Sequence, residues 1–380
     1  MKVVFLVTHL LGTGHLTRAL NLARAFAAAG HAPTVISGGM PLPLADQAAV
    51  ELVQLSPVRS DGTQFSRLLN DAGNPADAAL HAARRDAIGA TLARIEPDVL
   101  ITELFPFGRR VLKEEFQFAL DSARQLHTPP AIFASVRDIL APPSKPSKAE
   151  FAETMVRDHY DAVLVHADPS VTPLELSWPV SPQLASKLRY TGFVAPPPAP
   201  PHPENAGAGE IIVSAGGGNV GNAVFDTAKA AARLDPTRRW RLLIGGQNAV
   251  ASCAALNEDA PELFVAEPAR PDFRQMLHHA AASVSLCGYN TALDILQTTC
   301  PAVFVPFDEG QEVEQTLRAG ALAKQPGIEM LKTADLSAER LLEAVEQAQA
   351  HPRLKIDDDL LRGAQRTVEI VAAERIRHGR

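Results

Sequence analysis

Residues 1–15, MKVVFLVTHLLGTGH, decide the fold. Residues 3–8 form a continuous apolar run rich in β-branched side chains, the pattern of a central parallel strand covered on both faces. Gly12, Thr13 and Gly14 follow. Leu16, Leu20, Ala23, Phe26 and Ala27 then repeat at helical spacing up to Gly30, a natural stop. Residues 33–37 read as a second strand. Strand, glycine loop, helix and strand make a right-handed βαβ unit. A basic residue before an apolar run also resembles a secretory leader, but the run breaks at Gly12 and no A-x-A site follows, so a buried first strand is the better reading.

The alternation continues outward. Residues 76–95 and 109–126 read as helices, and 97–102, 131–135 and 162–166 as strands, as a doubly wound parallel sheet requires. Residues 194–209, VAPPPAPPHPENAGAG, are too rich in proline to build a core and read as a semi-rigid linker. The pattern then restarts. Strands are expected at 210–214, 240–244, 263–266, 282–286 and 302–306, a helix at about 221–233, and helices at 336–350 and 357–378. The expected division is an N-terminal domain over 1–193, the linker, a second domain over 210–356, and a C-terminal helix over 357–380 packing back on the first domain. No tandem repeat is visible.

Composition bounds the function. The chain has 380 residues, 46% hydrophobic and 21% charged, enough for two packed cores. A net charge of -7 speaks against a general nucleic-acid binder, which needs excess Lys and Arg. Cys253, Cys287 and Cys300 are odd in number and lack CxxC spacing, so neither a disulfide framework nor a zinc site is expected. No apolar run reaches the roughly 18 residues that span a bilayer. A cytoplasmic protein is expected.

Four elements carry candidate chemistry. The loop Gly12-Thr13-Gly14-His15 offers helix N–H groups to an anion. Thr17 stands where a dinucleotide fingerprint needs its third glycine, and Ser37-Gly38-Gly39 where it needs an acid, so a nicotinamide or flavin site is disfavoured. His15 is either a general base near neutral pH or a residue that only caps the loop. The loop running from Ser214 to Gly221 matches GxGxxG at 216, 218 and 221. With no acid after the next strand, it reads as a phosphate cradle or a plain turn. In the third element Gly288, Asn290 and Thr291 open a helix. Asp294, a turn further on, either accepts hydrogen bonds from a ribose diol or complements the helix dipole. In the fourth, Pro306-Phe307-Asp308-Glu309 leads to Glu314, Gln315 and Arg318. These suit hexose hydroxyls, or are solvated helix surface.

Two loops follow strands of the first half. They hold Glu103, Arg109 and Arg110, and Arg137 with Asp138. They suit a polar acceptor bearing a carboxylate or phosphate, which Arg109 and Arg137 can grip, or form an ion-paired rim. No metal is expected. Asp357, Asp358 and Asp359 read as charge at a helix start, and His278-His279 lacks ligand spacing.

Two open α/β halves, the Gly-x-Gly-His loop, the later glycine cluster, G-x-x-T-x-x-[DE] and V-P-F-x(n)-Q together resemble the GT-B fold. In that fold two doubly wound Rossmann-like domains face a cleft. The similarity is closest to glycosyltransferase family 28, the family of the peptidoglycan-precursor N-acetylglucosaminyltransferase, and extends to a broad group of bacterial predicted glycosyltransferases. The resemblance implies a donor-binding second domain, an acceptor-side first domain and a nucleoside diphosphate sugar, of uridine, as co-substrate without a cofactor. It implies donor contacts from Gly12, Gly14, Ser214, Gly216, Gly217, Gly218, Asn219, Gly288, Asn290 and Thr291. Asp294 would lie at the ribose, and Glu314 and Gln315 at the sugar. His15, or else Glu103 or Asp138, would be the base of a metal-independent, inverting transfer of a hexose or N-acetylhexosamine to a hydroxyl acceptor, polar or lipid-linked. Asp294 is one methylene shorter than the family's Glu, Glu314 stands in place of an amide, and the loops at 103–110 and 135–138 do not match. These departures leave the sugar and the acceptor undefined. Two rival functions remain on the same fold: a non-catalytic nucleotide-sugar-binding partner subunit, and a nucleotide-sugar epimerase or hydrolase. The loop at 141–148, APPSKPSK, has only two lysines, too few to bind anionic lipid by themselves.

Overall fold

The computed structural model describes residues 1–10, 12–41, 49–61, 64–215, 221–246, 248–308, 312–353 and 355–377. The chain divides into two compact units, Met1–Val194 with Asp359–Arg380, and Ala195–Asp358.

The first unit runs β1 (Lys2–Val7), α1 (Gly14–Ala28), β2 (Ala32–Ser37), β3 (Glu51–Gln54), a hairpin of β4 (Arg59–Asp61) and β5 (Gln64–Leu69), and α2 (Ala78–Ile95). It continues with β6 (Val99–Glu103), α3 (Lys113–Arg124), β7 (Ala131–Arg137), α4 (Pro146–His159), β8 (Ala162–His166), α5 (Pro182–Lys187) and β9 (Leu188–Tyr190). Its parallel sheet has the order β3-β2-β1-β6-β7-β8-β9. The order reverses between β1 and β6, so the crevice for a ligand lies at the carboxyl ends of those two strands. The unbroken apolar character of β1 follows from its two covered faces. Val3, Phe5 and Val7 pack with α1, while Val4 and Leu6 are buried on the other side.

The second unit repeats the plan with β10 (Glu210–Ser214), α6 (Asn222–Leu234), β11 (Arg239–Ile244), α7 (Ala249–Asn257), β12 (Phe264–Pro268), α8 (Phe273–Met276) and β13 (Ala282–Ser285). Then come α9 (Tyr289–Leu296), β14 (Ala302–Phe304), α10 (Glu314–Leu322), β15 (Ile328–Met330) and α11 (Ala338–Ala350). Its parallel sheet is ordered β12-β11-β10-β13-β14-β15, with the reversal between β10 and β13. Ile211 and Val213 join Phe225, Ala228, Leu341 and Val345 in the main core, while Ile212 packs with Leu243 and Met276.

Several elements differ from the sequence reading. The hairpin and α4 have no counterpart in it. The stretch 195–209 belongs to the second unit and is fastened there: Arg274 donates to the Pro197 carbonyl at 2.7 Å, and His278 Nε2 lies 2.9 Å from that of Ala199. His278 and His279 sit in a turn beyond α8, not in a helix. The helix expected over 357–378 is interrupted. Residues Asp358–Leu361 form a 3-10 turn, and α12 (Gly363–Arg377) starts only after it. The break is where the chain crosses Phe193. Gly363 N donates to the Phe193 carbonyl at 3.0 Å, and a Cβ on Gly363 would stand 2.6 Å from that same oxygen. Asp358 and Asp359 pair there with Lys355 and Arg362. No described helix is long and apolar enough to cross a membrane.

Candidate functional site

His15 is the second residue of α1, directly after the carboxyl end of β1, and Glu103 is the last residue of β6. The sheet reversal sets those two strands side by side, which brings together residues 88 apart in sequence. His15 Nδ1 lies 2.9 Å from Glu103 Oε1. Gly12 supports the turn with a φ of 66°, a backbone state that side chains disfavour. Gly14 opens the helix behind it.

Glu103 is 3% exposed and fully engaged. Arg18, one turn along α1, donates to Oε1, and Ser135, its register partner on β7, donates to Oε2 at 2.6 Å. Burial opposes a charged Glu103, but Arg18, His15 and Ser135 outweigh it and hold the carboxyl well below the usual carboxylate range. Burial pushes His15 down to about 3. The Glu103 hydrogen bond resists this, while Arg109 and Arg18 reinforce it. His15 is therefore neutral. Arg18 Nη2 also stands 3.2 Å from His15 Nδ1, but that nitrogen cannot serve both neighbours. The carboxylate can only accept, so the ring proton belongs on Nδ1 and Nε2 is left as the acceptor.

The loop after β6 presents Arg109. Phe105 stacks on Phe116 with centroids 4.7 Å apart, and Phe107 meets Trp178 edge-on at 5.2 Å. These anchors hold Leu104 and Arg109 at φ of 68° and 57°, a strained state for side-chain-bearing residues that recurs at functional loops. Arg109 Nε donates to the Thr8 carbonyl at 2.6 Å. Burial lowers Arg109 to about 10, with Arg137 and Arg18 adding to the effect and Glu103 opposing it. Arg109 thus feels Arg137, Arg18 and the Glu103 carboxylate together. Asp138 is buried at the end of β7.

In the second unit Ser214 ends β10, in register with Ser285 of β13. Gly216, Gly217, Gly218 and Asn219 lie outside the described residues. Gly288 is the N-cap of α9, in extended conformation and without a side-chain cap bond. Asn290 is exposed there and Thr291 half-buried. Asp294 is 16% exposed and its Oδ1 lies 2.8 Å from Arg274 Nε. Burial pushes its pKa up to about 6 even against that partner.

Glu314 and Gln315 are tied into the fold. Glu314 Oε1 accepts from Arg318 at 2.8 Å, and Arg318, 1% exposed, also donates to the Cys287 carbonyl at 2.8 Å. Gln315 Oε1 accepts from Phe307 N at 3.2 Å. Both side chains thus brace the loops at the starts of α9 and α10. The sequence reading did not single out Arg18, His166 or Arg274. Arg18 alone left a signal, a cation one turn from His15 within a buried helix. Among the described residues no group of three or more His, Cys, Asp or Glu is arranged to hold a metal ion.

Residues 245–359 match the model of the glycosyltransferase family 28 C-terminal domain. Over 142 residues the chain is 35% identical to a UDP-N-acetylglucosamine--N-acetylmuramyl-(pentapeptide) pyrophosphoryl-undecaprenol N-acetylglucosamine transferase of Brucella anthropi, a match covering 36% of this chain and 38% of that enzyme. The chain thus spans less than two fifths of the curated relative it matches. Among solved structures, MurG of Acinetobacter baumannii superposes with a TM-score of 0.60 at 16% identity, covering 98% of this chain and 100% of that one. The glycosyltransferase SnogD from Streptomyces nogalater gives 0.58 at 17% identity, covering 98% and 99%. The chain has the GT-B fold and, over residues 245–359, is similar to the glycosyltransferase family 28 C-terminal domain.

Proposed function

We propose that the chain is a glycosyltransferase that moves a hexose or N-acetylhexosamine from a uridine diphosphate sugar to a hydroxyl acceptor, with inversion and without a metal ion. The observation that carries this reading is the family 28 match, which covers α9 and α10 with Asn290, Thr291, Asp294, Glu314 and Gln315. The Brucella relative is named for UDP-N-acetylglucosamine and for N-acetylglucosamine transfer, which supports a uridine diphosphate sugar as donor here.

In this mechanism the acceptor oxygen attacks the anomeric carbon as the bond from that carbon to the diphosphate oxygen breaks. A single displacement inverts the centre. His15 Nε2 takes the acceptor proton, while Glu103 keeps the other ring nitrogen protonated. The N–H groups at the start of α9 stabilise the charge gathering on the leaving diphosphate, and the glycine cluster at 216–219 adds to them. Asp294 receives the ribose. Arg109 and Arg137 hold an anionic group of the acceptor. A cytoplasmic setting accompanies this reading, in keeping with three buried free cysteines.

The test is calorimetric titration with uridine, thymidine, guanosine and adenosine diphosphates and their sugars, with and without chelator. Selective, chelator-insensitive binding of a uridine nucleotide, weakened by Asp294→Ala, is the expected result. Absence of binding to every nucleotide would overturn the reading.

A further inference from the structure

Behind the His15–Glu103 pair lies a line of buried polar groups with no role in the mechanism above. Ser135 of β7 touches both Glu103 Oε2 at 2.6 Å and His166 Nε2 at 3.0 Å. His166, the last residue of β8, is 0% exposed, and its Nδ1 lies 2.9 Å from Thr191 Oγ1. Three adjacent strands thus each contribute one member: β6, β7 and β8.

The protons in this line can be assigned one by one. Ionised Glu103 only accepts, so the Ser135 hydroxyl proton goes to Oε2. Ser135 Oγ must then accept from His166, which puts the His166 proton on Nε2. Burial and Arg18 hold His166 neutral, with Glu103 opposing, so its Nδ1 carries no proton and faces Thr191 Oγ1, which also lies 2.8 Å from the Gly192 carbonyl oxygen and donates there. From His166 through Ser135 the donors therefore point toward Glu103. A chain of hydrogen bonds aligned in one sense strengthens each member and restricts the carboxylate to one orientation. Fully burying an imidazole and two hydroxyls is costly when apolar side chains could fill the same space. That cost argues for a function of the line beyond packing.

We infer that Ser135 and His166 are positioning residues, which lock the Glu103 carboxylate and through it hold His15 as the Nδ1–H tautomer with Nε2 bare. The inference rests on the reading of His15 as the base, but it makes a statement about ring tautomers that stands without any substrate. The two histidines carry opposite tautomers: His15 protonated on Nδ1, His166 on Nε2.

The experiment is nitrogen NMR of the full chain labelled at histidine ring nitrogens, with signals assigned by His15→Gln and His166→Gln. Opposite neutral tautomers are expected in the unsubstituted protein. Ser135→Ala should move the His15 signals toward a mixture of tautomers. Should Ser135→Ala fail to fold, His166→Phe serves in its place, because it removes the donor to Ser135, and should move the His15 signals in the same direction. Finding the His15 proton on Nε2, or His15 signals unmoved by whichever of Ser135→Ala and His166→Phe folds, would overturn the inference. Where sugar transfer is measurable, Ser135→Ala should lower kcat about tenfold, with donor KM within about twofold, and Ser135→Thr should restore it. An unchanged kcat also overturns the inference. Tautomers as stated in a protein that turns over no nucleotide sugar would uphold the line and reject the glycosyl-transfer reading instead.

Discussion

Glu103 Oε1 stands 2.9 Å from His15 Nδ1, and this one contact decides which ring nitrogen is left as an acceptor. In the proposed mechanism Glu103 is therefore the partner of His15, which takes the part of the base.

Removing the base should be costly in turnover and mild elsewhere. His15→Ala is expected to lower kcat by about 10²–10⁴ while nucleotide affinity is kept, checked by steady-state kinetics beside calorimetry. Glu103→Gln should lose activity as well, because an amide can donate to Nδ1 and drive the ring proton to Nε2. It also leaves Arg18 buried without its carboxylate, so urea unfolding should show a loss of about 3 kcal/mol.

The acid limb of activity should fall outside the ordinary histidine range. Burial sets His15 at about 3, so the free protein keeps its base unprotonated as pH drops through 6.5. A profile of kcat/KM should show no step from His15 between pH 7 and about 5 in this reading, and any step near 6 should vanish in Asp294→Asn. An acid limb centred near 6.5 would contradict the assignment. Stability runs the other way. His15 and His166 are neutral when folded and take up protons on unfolding, so their contribution is present above 6.5 and drains away as pH falls toward 3.

Asp294 has the opposite sign. Its folded pKa is raised to about 6 from 3.8 by burial, against the pull of Arg274. The folded protein holds that proton more tightly than the unfolded chain, so its contribution is complete below 3.8 and is lost as pH rises through 6. Relative to Asp294→Asn, the unsubstituted protein should be more stable at pH 4 than at pH 7, measured by melting temperature across that interval.

Glu314 offers a direct separation of fold from ligand. Arg318 is almost wholly buried and depends on Glu314 and the Cys287 carbonyl. Glu314→Ala should destabilise the chain by about 3 kcal/mol in chemical denaturation, by taking a carboxylate partner from a buried guanidinium. A variant that raised donor KM with unchanged stability would assign Glu314 to the sugar alone.

The sheets were readable in the sequence because their strands are buried on both faces and therefore written as unbroken apolar runs, as in Val3–Thr8. The carboxyl ends of the strands followed, and with them the places of His15, Glu103 and the start of α9; the points of reversal came only with the strand order. What escaped was contact across distance. His166 looked like the polar end of a strand, and only the register of β6, β7 and β8 sets it behind Glu103. Arg274 and Asp294 lie 20 residues apart and meet only through folding. The exposed-looking Glu314 proved buried because a second charge one helical turn away, Arg318, partners it inside. The helix α4 escaped because its amphipathic pattern is weak and polar residues crowd its length. The unbroken helix expected over 357–378 failed at Gly363, where backbone meets backbone and no side-chain periodicity records the crossing.

That crossing also sets an order of events during synthesis. Val368 and Val371 of α12 belong to the same core as Phe5, Leu20 and Val194. Residues 195–358 leave the ribosome before α12 does, so the second unit has all its own chain while the first still lacks a wall. The unit whose first strand is made earlier is thus the one whose core is completed later. Until then the apolar side of α1 meant for α12 stays bare, the moment at which a nascent chain most needs protection from aggregation.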